Sequence, residues 1–175
     1  MKSKKKDAPK KSKTDPIIPK SYSLDVAFSS ATRSLPKQGQ QPIYAMGYGF
    51  SEFPGRVWEG KGQSTLKVEP GSLFYFTAFD TADKPQKVTT FEVDFHGGRN
   101  PFDSTGPIKV TGKGISSQPG QSAGCNVIGL YSIIGPYTVA PETKTQNFEC
   151  TVKVTTTRKG KIFQVDPEIQ VEGGG

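Results

Sequence analysis

The chain has one histidine, two cysteines, one tryptophan and two methionines among 175 residues, and the first two scarcities argue against zinc clusters and blue-copper centres. A zinc cluster needs several Cys or His ligands at close spacing, and none of the three such residues here has another nearby. A blue-copper centre needs two histidines and a cysteine, which the single His96 rules out. No metal and no other cofactor is expected. Long apolar runs are missing too: nothing approaches the roughly 18 residues of a membrane span, and no apolar stretch follows the early lysines as in a secretory signal. The chain is therefore expected to start at Met1, to have no transmembrane segment and to stay in the cytoplasm. In that reducing compartment a disulfide between Cys125 and Cys150 is disfavoured, and Cys150 reads as a small buried group on an alternating stripe.

Helix formers are sparse. Leu, Ala and Met total 15, whereas Val, Ile and Thr total 38. Residues branched at Cβ lose rotamer freedom in a helix and pack well on a pleated sheet. The 20 Gly and 14 Pro are scattered as punctuation, which reads as many short strands joined by turns.

Alternation places strands at residues 22–28, 43–50, 72–79, 88–95, 147–157 and 161–171, with two short ones between 56 and 69 and another at 108–110. SLFYFTAF (72–79) is apolar on both faces and belongs in the middle of a sheet. The stretch 126–140 is one bent strand or two, and 34–42 and 115–124 read as loops. About ten strands at such spacing predict an all-β antiparallel sandwich, immunoglobulin-like in the loose sense. The expected organisation is a disordered tail over 1–20, the sandwich over 21–172 and a flexible glycine end over 173–175.

The net charge of +7 is uneven. Residues 1–20 carry eight Lys and two Asp, leaving a body at +1. Lys4, Lys5, Lys6, Lys10, Lys11 and Lys13 form a candidate anion-binding tail for nucleic acid, an anionic surface or an acidic partner. With no aromatics among the lysines, such binding is sequence-blind and salt-sensitive.

The most chemical-looking segment is FEVDFHGGRNPFD (91–103). His-Gly-Gly is similar to the oxyanion turn of lipases and esterases, but no Gly-x-Ser-x-Gly elbow and no strand-helix alternation accompany it. A turn accounts for it better: Gly97 and Gly98 reverse the chain after a strand, and Asn100-Pro101 start a second turn. No catalytic residue is assigned, and His96, Arg99, Asn100, Phe102 and Asp103 are the candidate ligand contacts at one edge of the sandwich. Tyr44, Tyr48, Phe53, Trp58, Phe102, Tyr131 and Tyr137 could form a platform for a carbohydrate, although for any single ring burial in the core is the favoured reading.

Two segments carry a resemblance. GKIFQVDPEIQV (160–171) is similar to the closing signature of the AidA and PixA family of small bacterial inclusion-body proteins, and LKVEPGSLFYFTAFD (66–80) resembles that family's central strand pair. The resemblance implies a cytoplasmic, non-enzymatic β-sandwich that accumulates or assembles as a homo-oligomer, with Asp166-Pro167 structural. The expected function is self-assembly or ligand and partner binding without catalysis. The alternatives are nucleic-acid or surface binding through the tail and carbohydrate binding.

Overall fold

The computed structural model describes residues 19–28, 30–31, 44–49, 52–59, 65–80, 82–104, 106–121, 128–157 and 162–173. The tail lysines Lys4 to Lys13, the stretch 34–42 and Cys125 lie outside these residues, as do the side chains of Tyr44, Tyr48, Phe53 and Trp58.

Twelve strands are found among the described residues, with two short 3-10 turns and no α-helix. The strands are β1 (Ser21–Phe28), β2 (Tyr44–Gly49), β3 (Glu52–Glu59), β4 (Thr65–Val68), β5 (Leu73–Asp80) and β6 (Val88–Phe95). They continue with β7 (Ile108–Thr111), β8 (Ser116–Gln121), β9 (Ile128–Thr138), β10 (Gln146–Thr156), β11 (Ile162–Val165) and β12 (Glu168–Val171). One sheet runs β3-β2-β1-β5-β9-β8 and the other β4-β12-β10-β6-β7, with β11 also paired to β10.

The two sheets pack face to face as an all-β sandwich. Leu24, Val26, Phe28, Phe74, Phe76 and Ile134 of the first meet Phe91, Val93, Cys150, Val152, Phe163 and Ile169 of the second in one cluster. Aromatic contacts bridge the layers, with Phe28 and Phe163 centroids 4.5 Å apart and Phe76 and Phe91 6.4 Å apart. Cys150 is a free, buried thiol that donates to the Pro167 carbonyl at 3.6 Å. Burial, reinforced by the Asp166 charge, pushes it up to about 12, so it packs as an apolar group and is unreactive.

Two details differ from the sequence expectation. Two pairings are parallel, β1 with β5 and β4 with β12, because the chain between β1 and β5 is long enough for a crossover. Ser116–Gln121 is a strand, not a loop, paired with β9. It lies at a sheet edge, where Pro119 can point its missing donor away from the single partner. Of the two readings of 126–140, the described part is a single strand, β9, whose register with β5 shifts between Phe74 and Phe76. Asp166-Pro167 lies between β11 and β12, and β12 is internal between β4 and β10.

Candidate functional site

The turn at 96–98 has the conformation its glycines permit, with Gly97 at φ 75° and Gly98 at φ 71°. The five candidate contacts that follow do not converge. His96, Arg99 and Asp103 are exposed. Asn100 is spent on the loop itself, accepting from the Phe102 amide at 2.9 Å and donating to the Gly106 carbonyl at 3.0 Å. Phe102 is a core residue, its ring 5.3 Å from Phe74 and 5.5 Å from Tyr137. A ring in that position anchors the loop and is not free to stack on a ligand. Tyr137 likewise packs against Phe76, and burial raises its phenol above the usual value.

His96 instead joins a hydrogen-bonded row on the outer face of the second sheet. Its Nε2 lies 2.9 Å from the Thr151 hydroxyl and its Nδ1 3.5 Å from Glu149 Oε2. Taken alone, hydroxyl, imidazole and carboxylate in that order imitate a nucleophile, base and orienting acid. The proton count argues otherwise. A hydroxyl has one hydrogen, and Thr151 donates it to Asp166 Oδ1 at 2.7 Å, the charge-assisted and stronger choice. Thr151 must then accept from His96, so its oxygen is not activated. The row ties the end of β6, β10 and the β11–β12 junction together. Thr151→Val should cost about 1 kcal/mol, read as a lower urea midpoint.

An open cleft of about 900 Å³ lies elsewhere, lined by Glu69, Pro70, Glu142, Lys144 and Glu172 among others. Two of its carboxylates are engaged, Glu69 with Lys20 and Glu172 with Lys67, each at 2.6 Å. Exposed pairs of this kind are screened and contribute little.

The arrangement with most chemical content is on the outer face of the first sheet, the face turned away from the core. In β1, Leu24, Val26 and Phe28 point inward, so Ser23 and Asp25 point outward. Yet Ser23 is 2%, Asp25 4%, Thr77 3% and Phe79 1% exposed. The Ser23 hydroxyl donates to Asp25 Oδ1 at 2.9 Å, and the Thr77 hydroxyl donates to the same oxygen from the parallel neighbour β5. Oδ2 accepts nothing among the described residues. Burial outweighs the two hydroxyl bonds and pushes the carboxyl from 3.8 up to about 6.

Aromatic rings lie alongside. Phe79 and Tyr131 pair across β5 and β9 with centroids 4.5 Å apart. They spread flat over glycines: a Cβ on Gly129 would come within 2.7 Å of the Phe79 ring, and one on Gly120 within 2.8 Å of the Tyr131 ring. Tyr75, Tyr131 and Ile133 are half-buried, so the face reaches solvent around the buried acid.

A second buried acid makes a useful contrast. Asp80 is 0% exposed, but it accepts backbone N–H bonds from Ser30 at 2.9 Å, Ala82 at 3.1 Å and Gln86 at 2.7 Å. It is a loop anchor with both oxygens used. Asp25 has no such satisfaction.

Nothing in the sequence reading singled out Asp25. The available signal was SLFYFTAF: a strand apolar on both faces needs both covered, and an acid on the outer face of the strand beside it is then covered as well. No helix among the described residues is long and apolar enough to cross a membrane, and no group of three or more His, Cys, Asp or Glu among them could hold a metal ion. Compared with known proteins, the chain matches no family model, and no curated protein matches it.

Proposed function

We propose that the chain is a non-enzymatic β-sandwich that binds a ligand or partner on the outer face of its six-stranded sheet. The observation that carries this reading is Asp25: a carboxyl buried outside the core, held by two hydroxyls on one oxygen and without a partner among the described residues on the other. An uncompensated buried acid works against folding, and sites with that property concentrate where a protein recognises something. Aromatic rings around a few fixed polar groups are the usual composition of a binding surface. The occupied hydroxyl of Thr151 supports the non-enzymatic part.

The resemblance to the AidA and PixA family adds assembly as the use to which a binding face would be put. Edge-to-edge strand pairing is the less favoured route. β3 and β8, the edges of the first sheet, contain Pro54 and Pro119, β7 presents Lys109, and β4 is four residues long. These are the usual ways of blunting an edge. Assembly through a sheet face is compatible with all of them.

Amide-resolved NMR of the full chain with a set of small probes, including monosaccharides, alkylamines and carboxylates, tests the reading. Saturable shifts should cluster on β1, β5 and β9. Shifts confined to residues 96–103 would move the site to the turn and end the proposal.

A further inference from the structure

We infer that the outer face of the six-stranded sheet takes a small organic cation, an ammonium on a compact apolar body, seated against Asp25 beside the aromatic residues Tyr75 and Phe79 of β5. This rests on the binding-face reading above and names the chemistry of its ligand.

The placement follows from the pairing register. Asp25 stands opposite Thr77 on β5 and opposite Met46 on β2. Its diagonal neighbours on the same face of β5 are Tyr75 and Phe79. Diagonal positions on one sheet face lie within reach of large side chains. An acid flanked by two aromatic residues has the composition that recognises ammonium groups, since ring faces are electron-rich and a carboxylate supplies the counter-charge.

Charge complementarity points the same way. β1, β2, β5, β8 and β9, five of the six strands of the sheet, contain no lysine or arginine. No ion pair among the described residues includes Asp25. The strands therefore provide the negative charge and the aromatic surround, but not the positive charge that would complete them. A neutral hydroxyl could donate to Oδ2, yet it would leave the buried charge unbalanced.

Choline is a suitable probe, and 3,3-dimethylbutan-1-ol is its uncharged counterpart of the same shape. In NMR titrations of the full chain, choline should shift the β1 and β5 amides saturably, and the alcohol should bind about tenfold more weakly or not at all. Asp25→Asn, which removes a buried charge and is expected to fold, should lose about tenfold in choline affinity. Tyr75→Leu should lose several-fold while its amide spectrum stays dispersed. Equal binding of choline and the alcohol, or an unchanged Asp25→Asn, overturns the cation but leaves the face as a site. Absence of saturable shifts on this face with choline and with every other probe overturns both. A peptide of residues 1–13 that binds this face while choline does not would assign it to the lysines of a second copy, and the small-cation proposal would fall.

Discussion

Asp80→Ala is expected to destabilise the protein by about 4 kcal/mol, because three backbone N–H groups lose a charged acceptor at once. The amides of Ser30, Ala82 and Gln86 converge on the two carboxyl oxygens, and the Ser30 and Ala82 bonds are buried. Water can reach the partly buried Gln86 amide and soften the loss there, which keeps the total below the sum of three full penalties. Asp80→Asn gives a graded control: its carboxamide oxygen can still serve Ser30 and Ala82, but its NH2 would face the Gln86 N–H, so about half the loss is expected. Urea unfolding of the three proteins measures both effects. An Asp80→Ala variant within about 1 kcal/mol of wild type would mean that the anchor is structurally idle. Because Asp80 ends β5 and holds the segment after β1, its loss should also loosen the strand pair that carries Asp25 and Thr77.

Much of this fold was legible because strand signals here are local. The alternation in NFECTVKVTTT and VTTFEVDF puts Phe148, Cys150, Val152 and Val154 on one face of β10 and Phe91, Val93 and Phe95 on one face of β6, and all are buried. SLFYFTAF is central, as its two apolar faces imply. What alternation cannot encode is which strand lies beside which. The parallel pairing of β1 with β5 joins residues about fifty apart, and only that pairing brings Thr77 to Asp25. Pro119 and Gly120 misled in another way, since breakers are tolerated at an edge and Ser116–Gln121 is one. The candidate loop at 96–103 collected polar side chains in sequence, but the backbone consumed Asn100 and the core consumed Phe102.

The Asp25 carboxyl also predicts a pH dependence of unusual sign for an acid. Its folded-state value lies at about 6, above the ordinary 3.8, chiefly because burial disfavours the charge. Below about pH 3.8 the group is protonated in folded and unfolded chains alike and has no effect on their balance. Between there and about pH 6 the unfolded chain releases the proton while the folded one keeps it, so stability falls as pH rises. Above pH 6 the full cost is present, about 3 kcal/mol for a displacement of this size. Other carboxylates add their own slopes, and comparison with Asp25→Asn cancels them. The Asn side chain can accept from Ser23 and Thr77 through its single oxygen, so the clamp on Oδ1 survives. Urea unfolding from pH 4 to pH 8 should therefore show the variant gaining on wild type by about 3 kcal/mol across pH 4 to 7, with the difference flat above that. Parallel curves would mean that Asp25 ionises in the folded chain as freely as in water. Choline, if it seats against this carboxylate, should shrink the same difference at pH 7, because a bound cation supplies the charge balance that the strands lack.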